Sequence, residues 1–101
     1  MVTFEEARKL AEAEADSYFS NLVTETPSAW LGEKVLEERN CWLFLKVPNI
    51  KFRSDSVSWA DTAFVVSRRG TVLTVADHYE NQDELKRYLR KLSEYLEARN
   101  E

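Results

Sequence analysis

The stretch Thr62-Ala63-Phe64-Val65-Val66-Ser67-Arg68-Arg69-Gly70-Thr71-Val72-Leu73-Thr74-Val75-Ala76 decides how this chain folds. Two runs rich in β-branched and aromatic residues flank Arg68-Arg69-Gly70, and Gly70 supplies the left-handed residue that a hairpin turn needs. The pattern predicts strands over 62–67 and 71–76. Upstream, Cys41-Trp42-Leu43-Phe44-Leu45-Lys46-Val47 is the most hydrophobic segment and reads as another strand. Lys34 to Glu38 reads as the strand before it, with Arg39-Asn40 as a tight turn in which Asn tolerates positive φ.

Helices are expected at both ends. Thr3 and Glu6 match a capping box, and Phe4, Ala7, Leu10, Ala11, Ala15, Tyr18, Phe19 and Leu22 recur at helical spacing. This helix is expected to end near Leu22, with Glu5, Glu12 and Asp16 on a separate, solvent-directed stripe. Asn81 with Glu84 resembles a second capping box. Leu85, Tyr88, Leu89, Leu92, Tyr95 and Leu96 then give an amphipathic helix to about Ala98. The order helix, four strands, helix, with short connections, predicts a single α+β domain over 1–101 built on an antiparallel meander.

The strands carry an unusual pattern. Cys41, Leu43, Leu45 and Val47 point to one face of the sheet and Trp42 and Phe44 to the other; Ala63 and Val65 likewise oppose Phe64 and Val66. A sheet with one wet face alternates apolar with polar. Here both faces need cover, from a helix, from the long loop, or from a partner, and internal cover is the commoner arrangement.

The chain has 101 residues, 44% hydrophobic and 32% charged, which is a globular composition. A lone cysteine, Cys41, fits a reducing compartment. No signal-peptide run and no apolar stretch of membrane-spanning length is present, so a cytoplasmic location is expected. The net charge of −4 is unevenly placed. Residues 1–40 hold nine acids and four bases, a net of −5, whereas the remainder is nearly neutral. An acidic half disfavours nucleic acid and favours a basic protein partner.

Groups that could carry chemistry are few. His78 is the only histidine, beside Asp77, and adjacency in sequence does not orient a catalytic pair. One His and one Cys cannot fill a zinc site, and two glycines leave no phosphate-cradling loop. No cofactor or metal is expected, and no enzyme activity. Lys51-Phe52-Arg53 interleaves bases with an aromatic, as single-strand binders do, but over only three residues. Arg68-Arg69 reads as exposed turn chemistry.

The connection from Pro48 to Ala60 is long for a compact domain, and long connections tend to be functional. Phe52 and Trp59 are its expected anchors, and Arg53, Asp55 and Asp61 its polar rim. Glu37 and Glu38 complete the expected partner-binding set.

The chain resembles the immunity protein 35 family, also called YrhB-like. The matching features are Thr3-Phe4-Glu5-Glu6-Ala7 opening the first helix, a strand with Trp42 followed by Phe44, the hairpin from Ala63 to Val72, and the closing Asp83-Glu84-Leu85-Lys86-Arg87-Tyr88-Leu89 helix. Cys41 stands where the family usually has Gly. The resemblance implies a bacterial protein that binds and neutralises a cognate toxin, with no catalytic residues to carry over. The leading expectation is therefore an immunity protein, monomeric or homodimeric, in tight complex with a basic toxin. The alternative is a small chaperone-like or adaptor protein that binds non-native or secreted proteins through the second sheet face.

Overall fold

A computed structural model describes residues 1–53, 62–76 and 81–101. The elements are α1 (Phe4–Phe19), β1 (Leu31–Glu37), β2 (Cys41–Lys46), β3 (Thr62–Ser67), β4 (Val72–Ala76) and α2 (Gln82–Ala98). The four strands form one antiparallel sheet in the order β1-β2-β3-β4. The fold is α+β, with a helix at each end of the chain.

The doubly apolar strands are explained by two cores, one on each side of the sheet. On one side Trp42, Phe44, Phe64 and Val66 pack with Ala7, Ala11, Ala15 and Phe19 of α1. On the other, Cys41, Leu43, Ala63 and Val65 pack with Leu85, Leu89 and Leu96 of α2. Side-chain volumes are matched across each interface. The face with large rings meets an alanine stripe, and the face with smaller groups meets leucines. All six residues of β3 are buried, as a central strand between two helices requires.

The first capping box forms as expected. Glu6 N–H donates to Thr3 Oγ1 and Thr3 N–H to Glu6 Oε1, both at 3.1 Å. These hydrogen bonds hold the Glu6 carboxyl below its ordinary value. The helix stops at Phe19, short of Leu22. Leu22 N–H turns back to the Phe19 carbonyl at 2.8 Å, and the chain then lays Val23 against Phe52 in an isolated antiparallel bridge. The second cap differs from expectation: Asn81 Oδ1 accepts from Asp83 N–H at 2.9 Å, a local cap in place of a reciprocal box with Glu84.

β1 begins at Leu31, ahead of the expected Lys34, because its pairing with β2 continues across an irregularity between Leu31 and Val35. The β3–β4 turn places Gly70 at φ 96°, the left-handed conformation expected of it. Asn40 does not share that conformation; the only non-glycine described residue at positive φ is Asn100. Asn40 instead docks the β1–β2 turn onto α2. Its N–H donates to Ser93 Oγ at 3.0 Å, and its Nδ2 donates to Ser93 O and to Glu97 Oε2, each at 3.2 Å. Asn100, at φ 60°, closes α2 with a Schellman arrangement, in which Glu101 N–H reaches Leu96 O and Asn100 N–H reaches Glu97 O. The Glu101 carbonyl then accepts from buried Ser67 Oγ at 2.5 Å, tying the end of α2 to the end of β3.

Candidate protein-binding surface

Arg68 organises one end of the molecule. Its backbone N–H donates to Asn40 O at 2.9 Å, which sets the β3–β4 turn beside the β1–β2 turn. Its side chain folds across that junction. Nη2 donates to Glu37 Oε2 at 2.7 Å and to Glu38 O at 3.0 Å, and Nε donates to Arg39 O at 3.3 Å. The guanidinium carbon lies 3.8 Å from the centroid of the Trp42 ring. A planar, forked cation satisfies carbonyl, carboxylate and ring at once, which an ammonium does not. The ion pair with Arg68 lowers the Glu37 pKa, first through the hydrogen bond and then through charge.

Beside this clamp is a concavity of about 500 Å³ between the start of α1 and the β1–β2 hairpin. Trp42 and Val35 form its apolar part, Phe4 and Val2 one wall, and Glu37 and Arg68 its charged margin. The Phe4 ring stacks on Phe44, with centroids 5.7 Å apart and planes 10° apart, and tilts against Trp42 at 6.0 Å. Phe4 nevertheless keeps 38% of its surface exposed and Met1 keeps 94%. Exposed Glu5 and Glu6 follow Phe4 directly.

The acidic stripe of α1 is only partly directed to solvent. Glu12 accepts from the backbone N–H groups of Trp30 and Leu31, and Asp16 Oδ1 accepts from the Trp30 indole at 2.9 Å. One turn earlier, Arg8 Nη2 donates to the carbonyls of Leu31 and Gly32, at 3.1 and 3.0 Å. Residues at i, i+4 and i+8 of one helix thus hold the start of β1. Two carboxylates expected to face solvent are hydrogen-bonded to it instead. Glu5 and Glu14 remain exposed and make no ion pair among the described residues.

The expected partner-binding residues do not converge. Glu37 and Glu38 lie at the Arg68 clamp, near the start of α1. Phe52 lies near its other end, half-buried, with its ring edge-on to Phe19 at a centroid distance of 5.4 Å. A 16-residue helix is about 24 Å long, so the two groups stand at opposite ends of α1. Phe52 faces inward and belongs to the α1-side core. The backbone around it is fixed by hydrogen bonds from Arg53 N–H to Leu22 O and from Thr24 N–H to Lys51 O. The base–aromatic–base run therefore offers no stacking platform at Phe52. Arg53 is exposed. Asp55, Trp59 and Asp61 lie outside the described residues, as do Asp77 and His78.

Cys41 is buried, and burial pushes its thiol up to about 11. Among the described residues, no three His, Cys, Asp or Glu side chains gather as metal ligands, and no helix is long and apolar enough to cross a membrane.

Sequence reasoning missed Arg68 and the concavity. The available signal was the alignment of two turns: with β2 and β3 paired, Arg68 falls just beyond the Cys41–Ser67 pair, opposite Asn40. The chain matches no protein-family model, no curated protein and no solved structure.

Proposed function

We propose that this chain binds a basic protein at the end of the molecule where α1 begins and the β1–β2 hairpin closes, and that it acts as an immunity protein which silences a toxin by occupying it. The observation that carries this reading is the adjacency of an apolar concavity to unneutralised acid. Exposed Met1 and Phe4 stand beside exposed Glu5 and Glu6, while Glu37 at the margin is already paired with Arg68. Apolar anchors that seat in a pocket supply affinity, and surrounding charge of one sign supplies steering. The net of −5 over residues 1–40 extends the field beyond contact distance. The resemblance to the immunity protein 35 family points the same way. Inhibition by occupancy needs no catalytic group on this chain.

An adaptor acting through the second sheet face, the one carrying Trp42 and Phe44, is less well supported, because α1 covers that face.

The test is a toxin domain encoded next to this chain. Expressed alone it should arrest growth, and this chain should relieve the arrest. Association in vitro should slow about tenfold or more between low and moderate salt, with dissociation changing less. Glu5→Lys should slow association further. An adjacent toxin whose arrest this chain leaves untouched overturns the proposal.

A further inference from the structure

The two edges of the sheet are treated differently. At β1 the edge is defended. The strand is irregular between Leu31 and Val35, it carries exposed Glu33 and Lys34, and its first peptide groups are held by Arg8 and Glu12 from α1. Bulges, charges and cover of this kind are what keep an edge from pairing with another strand. Among the described residues, β4 at the opposite edge shows none of them within Val72–Ala76. Val72-Leu73-Thr74-Val75-Ala76 contains no charge and no proline, and it pairs residue for residue with β3 without irregularity. No described residue pairs with its outer side.

The hydrogen-bonding phase of that edge follows from the turn. Ser67 N–H donates to Thr71 O at 2.8 Å and Ser67 O accepts from Gly70 N–H at 3.0 Å, so Ser67 directs its peptide groups toward the β4 side. Antiparallel pairs alternate, so Leu73 and Val75 direct their peptide groups to β3. Val72, Thr74 and Ala76 therefore present their N–H and C=O groups outward. That array is self-complementary. A second copy laid antiparallel about Thr74 matches Val72 to Ala76, Thr74 to Thr74 and Ala76 to Val72, and every outward group gains a partner. On the α2 side, half-buried Leu73 of one copy then lies beside Val75 of the other.

We infer that β4 is a self-association edge, through which two copies of this chain join their sheets into one eight-stranded antiparallel sheet. The occupant is a second copy because the register closes on itself and no charge on the strand opposes like pairing. A five-residue edge makes a smaller contact than a stable dimer interface of roughly 800 Å² per partner. The association is accordingly weak and concentration-dependent. It is independent of the toxin-binding proposal, since β4 lies at the opposite edge of the sheet from β1 and the concavity.

Sedimentation velocity of the full chain over about a hundredfold range of concentration should show monomer converting to a species of twice the mass, without weakening as salt rises. Amide hydrogen exchange supplies the signature. Val72, Thr74 and Ala76 should become protected as concentration rises, while Leu73 and Val75 stay protected throughout. Thr74→Pro removes only an outward N–H, which an edge strand tolerates, and should leave a monomer. Thr74→Lys keeps the backbone donor and sets two ammonium groups directly opposite in the dimer, so it should also leave a monomer if the proline variant fails to fold. A chain that is monomeric at every concentration overturns the inference. So does a dimer that survives in a folded Thr74 variant, or a set of three outward amides whose exchange ignores concentration. Each of these results leaves the toxin-binding proposal standing.

Discussion

Arg68 covers Trp42 as a lid: its guanidinium carbon sits 3.8 Å from the ring centroid, and Trp42 is left only 5% exposed. The same group bonds Glu37, Glu38 and Arg39, all on the neighbouring hairpin. One side chain thus closes the α1-side core and joins two turns that are far apart in sequence.

Arg68→Ala should lower unfolding free energy by about 2 kcal/mol, from the lost stacking and the carbonyls left short of a donor. Arg68→Lys should recover less than half of that, because an ammonium reaches one acceptor and not the fork. Urea titration of the three proteins measures both differences. A lysine variant equal to wild type would show that charge alone matters here.

Ala7, Ala11 and Ala15 are fully buried against the sheet. Ala11→Leu should destabilise by about 1–3 kcal/mol or more, since the added carbons meet packed rings. Ala13 is exposed on the same helix, and Ala13→Leu should fall within about 0.5 kcal/mol of wild type. Thermal melts of the pair separate packing from helix propensity, which both changes share.

Phe52→Ala should act on stability. Its ring meets Phe19 edge-on within the α1-side core, and removal should cost about 2–4 kcal/mol. Partner affinity measured below the melting transition should change by less than a factor of about three. A large affinity loss in a variant of wild-type stability would restore Phe52 as a binding anchor.

Cys41 should resist thiol reagents in the folded chain and react at once in denaturant, because it is buried and its thiol is held protonated. Its pKa is raised from 9.0 to about 11, so its contribution to stability is complete below pH 9 and is lost as pH rises toward 11. Cys41→Ala should abolish that alkaline component, cost about 1 kcal/mol at neutral pH and leave partner binding within a few-fold. A pH profile of unfolding for both proteins checks the sign.

The architecture was legible because hydrophobic period speaks directly about faces. Alternation at 41–47 and 62–67 announced two buried sides, and Thr3 with Glu6 announced where α1 begins. What escaped was polar and non-local. Glu12 and Asp16 look like solvent-facing acids until Trp30 and Leu31 bring their N–H groups to them. Asn40 looks like a turn residue chosen for backbone conformation, whereas Ser93 and Glu97, more than fifty positions away, give it a docking role. Phe52 looks like a loop aromatic until Val23 pairs with it. Periodicity records which side of an element is dry, and it says nothing about which distant peptide group a carboxylate will meet.

Having a separate core on each side of β2 and β3 constrains how the length of the chain can drift. A single-residue insertion or deletion within either strand exchanges its two sides. Trp42 and Phe44 would be driven against the leucines of α2, and Cys41 and Leu43 would be left to fill the space beneath the alanines of α1. Both cores would fail together, one overfilled and the other hollow. Length change is therefore confined to the connections, and the strand segments 41–46 and 62–67 admit substitution but not slippage.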